Sequence, residues 1–119
     1  MQNASIGFSF RELQYIVAVA EELSFHKAAA RCCVSQSTLS IQLKKCEAYL
    51  GVTLFRRTQH SVALTQDGVD VVAFARVALE AAQLIKQRSS GKPLSSARVR
   101  LKLARTVLDL KDQSRLFLR

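Results

Sequence analysis

The chain has no tryptophan and only 7% aromatic residues, so its core is expected to be aliphatic and rich in small side chains, as in helical domains. Its one proline, Pro93, lies outside residues 66–88 and leaves that stretch free to form an unbroken helix. No run approaches the roughly 18 uncharged residues that a membrane-spanning helix requires; the apolar stretch Leu13 to Ala20 is far too short. No charged segment followed by an apolar run opens the chain, so no secretory signal is expected. The three cysteines, Cys32, Cys33 and Cys46, are an odd number, and neither C-x-x-C nor H-x-x-x-H occurs. That pattern points to reduced thiols in the cytosol and away from a disulfide framework or a metal site. Cys32 and Cys46 instead fall on apolar faces, where a thiol acts as a small hydrophobe. There is no Ser-His-Asp set, no convincing carboxylate pair and no Gly-rich phosphate loop, which excludes the common enzyme signatures and any expected cofactor. An RNA-binding sheet would need exposed aromatics; Phe25, Phe55 and Phe74 are better placed as core.

Acidic residues are also scarce: nine, against 18 Lys and Arg, for a net charge of +9. Such a balance implies a polyanionic partner. Its distribution qualifies the point, because residues 1–90 carry a net +3 and residues 91–119 a net +6. Charge alone does not locate a binding site.

Hydrophobic periodicity does. Phe25, Ala28, Ala29 and Cys32 repeat at i, i+3, i+4 and i+7, one face of a short helix capped by Ser24. The pattern breaks at Cys33-Val34, and Ser35 offers a new cap. Leu39, Leu43, Cys46 and Leu50 then make a second stripe, with Gly51 suited to end it. Opposite that stripe Ser37, Ser40, Ile41 and Lys44 form a small polar face carrying one lysine. Two short helices joined by a tight break predict a helix-turn-helix over residues 25–44.

The flanking elements fit this frame. Ser9-Phe10-Arg11-Glu12 is a capping box, with Phe8 and Leu13 placed as a hydrophobic staple, opening a helix whose apolar stripe is Leu13, Ile16, Val17 and Ala20. After the third helix, Val52 to Phe55 and Ser61 to Leu64 are β-prone, with a polar, partly basic turn between them. Following a helix-turn-helix, this hairpin is read as a wing that reaches the phosphate backbone rather than as a plain connection. Thr65 caps a long helix over 66–88. In it Val71, Phe74, Ala78, Ala81 and Ile85 recur at alternating steps of three and four, the seam of a helix pair. One face can dock on the small domain, and a dimer partner is the simplest cover for the rest. Beyond Pro93, Val99, Leu101 and Leu103 alternate with Arg98, Arg100 and Lys102 as in a strand with one basic face. With no partner strand in the chain, this segment is expected to be unstructured or to borrow an edge, while Leu103, Val107, Leu108 and Leu110 are spaced for a short helix.

Three stretches carry a resemblance to a known family: FRELQYIVAVAEELSFHKAAA at 10–30, VSQSTLSIQLKKCEAYLGVTLFRRT at 34–58 and LTQDG at 64–68. Together they closely resemble the N-terminal winged helix-turn-helix of LysR-type transcriptional regulators. The likeness covers about half the chain and continues into the linker helix. It implies a mainly α fold, with three helices and a two-stranded wing over 8–65 and a linker and dimerisation helix over 66–88, while composition alone marks 89–119 as a basic tail. It also implies a cytoplasmic bacterial transcription factor that dimerises through the linker helix on dyad-symmetric sites in double-stranded DNA. By this resemblance Gln36, Ser37, Ser40 and Ile41 face bases, and Arg57 and His60 approach the backbone or minor groove. Glutamine suits adenine, serines are short hydrogen-bonding probes, and Ser35 with the helix start suits a phosphate. Lys44 completes the face read from the stripe.

The departures are specific. Ser37 stands where the family usually has proline, Ile41 where it has arginine, and Cys32 and Cys46 where it has leucine. The wing turn Gln59-His60-Ser61 is less basic than usual. A weaker reading head is expected, by about 1–3 kcal/mol for a lost bidentate arginine contact, with Ile41 packing on a thymine methyl instead. The family's effector-binding domain has no counterpart in the 29 residues after Ser90, so no inducer pocket is expected. The chain is then a naturally short regulator, a truncated product or a fragment. Two functions fit: an autonomous DNA-binding regulator, or an interaction protein that forms mixed oligomers with full-length relatives.

Overall fold

Serine caps set the register of the first three helices. The computed structural model of the chain describes residues 6–89, 100–102, 104–106, 108 and 109. Helix α1 spans Phe10–Glu22. The Ser9 hydroxyl accepts from the Arg11 amide at 3.2 Å, and the Glu12 carboxylate accepts from the Ser9 amide at 3.0 Å and from the Ser9 hydroxyl. That box satisfies amides that have no partner inside the helix. Phe8 packs on the core and meets the Tyr49 ring edge-on at 5.9 Å. Helix α2 spans Phe25–Arg31, and Ser24 caps it by accepting from the Lys27 amide at 3.1 Å. Cys33 then turns the chain with φ 59°, in the left-handed region. Bonds from Cys33 N to the Ala30 carbonyl and from Val34 N to the Ala29 carbonyl hold that turn. Helix α3 spans Gln36–Leu50, capped by Ser35 and ended by Gly51 at φ 73°.

Helix α1 is the centre of the core. Ile16 and Val19 on α1, Ala28 on α2, Leu39 on α3 and Leu54 are fully buried. The sequence stripe on α1 underestimates this burial, since Tyr15, Ala18 and Val19 are buried too, while Ala20 is only half-buried. The cause is that α1 packs against α2, α3 and α4 at once, so almost its whole girth is covered.

Strands β1 (Phe55–Arg57) and β2 (Val62–Leu64) form the antiparallel wing, pairing Phe55 with Leu64 and Arg57 with Val62. The ladder starts three residues later than the β-prone run at Val52. The Glu47 carboxylate accepts from the Leu54 amide at 2.6 Å and the Phe55 amide at 3.5 Å, so this entry is held by a side chain instead of a strand.

Helix α4 spans Gln66–Ser89. Thr65 caps it by accepting from the Gly68 amide at 2.9 Å. Gly68 is a close-approach glycine: a Cβ there would stand 2.1 Å from the Leu54 carbonyl oxygen. Val69, Val72 and Ala75 are buried on the docking face. The expected seam divides. Val71 and Ala78 pack on the chain's own core and Ala81 is half-buried, whereas Phe74 and Ile85 are 74% and 70% exposed. Phe74 is therefore not a core residue, unlike Phe25 and Phe55, because it lies on the far side of α4 from Val72.

Residues 100–102 are helical, not a strand. A helix pairs its backbone internally and needs no borrowed edge. The Lys102 ammonium lies 2.8 Å from the Glu80 carboxylate, bringing this segment against α4. Residues 104–106, 108 and 109 are helical as well, whereas Arg98, Val99, Leu103, Val107 and Leu110 lie outside the described residues. Among the described residues no helix is long and apolar enough to cross a membrane.

Candidate nucleic-acid interface

The two sides of α3 have separate tasks. Leu39, Leu43 and Cys46 are buried, while Gln36, Ser37, Ile41 and Lys44 are exposed and Ser40 is half-buried. Ile41 leaves 54% of its surface in water, an apolar group that the fold itself does not use. The first turn of α3 holds no acidic residue, so its amides face solvent without a competing carboxylate. Ser35 is already engaged: its hydroxyl accepts from the Thr38 amide at 3.1 Å, donates to the Thr38 hydroxyl at 2.8 Å and lies 3.3 Å from that of Ser37. What it offers an anion is the helix start it caps, more than its own proton.

The wing brings Arg57 to this face. Arg57 donates from Nη1 to the Ser40 hydroxyl at 3.4 Å, and its guanidinium carbon sits 3.8 Å from the centre of the Phe25 ring. Phe25 in turn meets Phe55 edge-on at 6.2 Å. Three elements thus meet at one arginine: the first residue of α2, the middle of α3 and the end of β1. His60 stands exposed in the wing turn, which is shaped by Thr58 and Ser61: the Thr58 amide donates to the Ser61 carbonyl at 2.9 Å, and the Ser61 amide to the Thr58 hydroxyl at 3.0 Å.

The electrostatics are sharper than the chain-wide charge implies. Residues 23–66 contain six Lys and Arg and one acid, Glu47. That carboxylate is turned toward the Leu54 and Phe55 amides at the base of the wing. At the end of α1 the acids are paired: Glu22 lies 3.4 Å from Arg31, and Glu21 lies 2.7 Å from Arg31 and 3.2 Å from Arg76, joining α1 to both α2 and α4. Sequence reasoning missed Glu47, Glu21 and the aromatic seat for Arg57. The only available signal for Glu47 was its isolation as the lone acid in a basic stretch.

Two of the three thiols, those of Cys32 and Cys46, are partly or fully buried. Burial pushes the Cys46 thiol up from its ordinary value, and the same cause raises that of Cys32 against the opposing pull of Arg31 and Arg11. Both remain protonated at neutral pH, and only Cys33 is exposed. Among the described residues no group of three or more His, Cys, Asp or Glu is placed to hold a metal ion.

A second surface is apolar. A groove of about 280 Å³ opens between α1, α3 and α4, lined by Phe8, Leu13, Leu50, Val71, Phe74 and Ala78 among others, all apolar. It continues the exposed side of α4 that carries Phe74.

Comparison with known proteins places this geometry. The chain is 44% identical over 82 residues to the DNA-binding transcriptional dual regulator OxyR of Escherichia coli K12, covering 69% of this chain and 27% of that protein. Among solved structures, a full-length OxyR variant from Pseudomonas aeruginosa superposes with a TM-score of 0.69 at 44% identity, over 75% of this chain and 30% of that one. The DNA-binding domain of CbnR, solved as a complex with DNA, gives a TM-score of 0.67 at 38% identity, over 70% of this chain and 95% of the domain. The chain thus spans a little over a quarter of the length of the curated OxyR. Residues 10–69 match the family of bacterial regulatory helix-turn-helix proteins of the lysR type, and it is to this family that the chain belongs.

Proposed function

We propose that the chain is a sequence-specific regulator of transcription that binds a dyad-symmetric promoter site in double-stranded DNA, in the cytoplasm, as a homodimer. The DNA-binding unit is residues 8–65 and the dimerisation element is the linker helix over 66–88. Gln36, Ser37, Ser40 and Ile41 read base edges in the major groove, Lys44 and the α3 start hold phosphates, and Arg57 and His60 extend the contact through the wing. Val71, Phe74, Ala78, Ala81 and Ile85 form the pairing seam.

The observation that carries this proposal is the exposed face of α3, polar with one uncovered isoleucine, joined to the wing by Arg57. The likeness to a DNA-binding domain solved on DNA supports it. For the seam the support is Phe74 and Ile85, large apolar groups in water on one helix. The same surface favours a second role, pairing with α4 of full-length relatives in mixed oligomers.

Selection from a pool of random duplexes tests both. The homodimer reading expects an enriched inverted repeat from the pure protein. No enrichment, together with co-purification of a full-length relative, would favour the mixed oligomer instead.

A further inference from the structure

Arg57 makes two contacts whose combination has a consequence for specificity. A guanidinium only donates hydrogen bonds, whereas a serine hydroxyl has one proton to donate and two lone pairs to accept with. Arg57 Nη1 donates into the Ser40 oxygen, and its planar group lies over the Phe25 ring, where cation and ring face attract. Phe25 is itself fixed, being 7% exposed and held edge-on by Phe55. The arginine is therefore seated before any DNA arrives, and one lone pair of Ser40 is already filled. Among the described residues the Ser40 proton goes to no carbonyl one turn back, so it remains to be given.

We infer that Arg57 is a positioning residue that biases Ser40 toward donating its hydrogen bond into the major groove. This deepens the proposed DNA-reading role and rests on it. With one lone pair taken and the proton uncommitted, Ser40 is biased toward an acceptor edge, namely purine N7, guanine O6 or thymine O4, over the amino group of cytosine or adenine. The wing acts on base choice through the recognition helix, as well as through its own contacts. Lysine at 57 would keep the charge but lose both the flat stacking surface and the fixed fork.

The test uses the full chain and the duplex that selection returns, with each base position varied in turn. Ser40→Ala should lose discrimination at one position occupied by an acceptor edge, by about three- to ten-fold, the scale of one hydrogen bond. Arg57→Lys should lose it at the same position and to the same extent, read as the ratio of affinities for duplexes that differ only there, so that any loss of phosphate contact common to all duplexes cancels. The double variant should be no worse than either single one. In the DNA-free protein, the Arg57 side-chain protons should be shifted upfield by the Phe25 ring and return to ordinary values in Phe25→Leu, with melting curves confirming that each variant folds. Losses at different positions, losses that add in the double variant, or an Arg57→Lys protein that keeps every preference would overturn the inference. A wild type that binds all duplexes alike would instead remove the DNA-reading role itself.

Discussion

At the scale of single residues, Ser37 and Ser40 are short hydrogen-bonding groups on the α3 face, whereas Gln36 is long enough to make a paired contact with adenine. Gln36→Ala is expected to weaken binding to the selected duplex about ten-fold while leaving random duplex nearly unaffected. Fluorescence anisotropy on the two duplexes measures the difference, and equal losses would show that Gln36 does not read sequence. Glu12 is a residue whose effect depends on pH. The Ser9 hydroxyl bond holds its carboxyl below the ordinary value of 4.5. A depressed folded value contributes stability that is complete above that ordinary value and disappears as pH falls through the folded one. Glu12→Gln should therefore melt below wild type at pH 7, with the gap closing as the pH drops under 4.5. A gap that persists in strong acid would mean that the box acts through packing alone.

At the scale of elements, local chemistry made the helices legible and distant chemistry hid the rest. Ser9, Ser24, Ser35 and Thr65 each cap a helix within three residues, so the four starts can be read from a few adjacent letters. The entry to β1 cannot, because Glu47 holds it from seven residues away on another element. Periodicity on α4 likewise gives the apolar positions but not which of them the chain covers itself. Phe74 and Val71 share one seam in sequence, yet Val71 packs on the core and Phe74 faces water. The division also refines how that seam is tested. Ala78 packs on the core, so a charge there would damage the fold as well as pairing. Ile85→Lys combined with Phe74→Ser touches only exposed groups. That variant should keep its melting temperature and sediment as a monomer, and an unchanged sedimentation mass would refute the seam. The candidate interface was legible as a face of α3, while the seating of Arg57 on Phe25 was not, since 32 residues of chain separate them.

For the whole molecule, the proposed function rests on the arrangement of charge together with the pairing of two heads. The basic stretch 23–66 keeps its single acid turned inward, giving one unit a moderate, salt-sensitive hold on phosphates. With Ile41 in place of an arginine, a single head is expected to discriminate weakly. Two heads linked through α4 convert the second contact into an intramolecular one and multiply that discrimination. The net +6 of residues 91–119 should add sequence-independent affinity. Deleting them is expected to flatten the salt dependence on random duplex while preserving preference for the selected site, read from binding curves at several salt concentrations. Loss of the preference itself would place part of the reading in the tail.

The proposed function requires paired α3 faces to read a symmetric DNA site. Competition binding at fixed salt tests it directly, using the selected duplex, the same duplex with one half-site scrambled, and one with both scrambled. The intact site should bind at least about a hundred-fold tighter than the fully scrambled one, with the half-site duplex between them. Equal affinity for all three would show that the chain holds DNA by charge alone and would contradict the account.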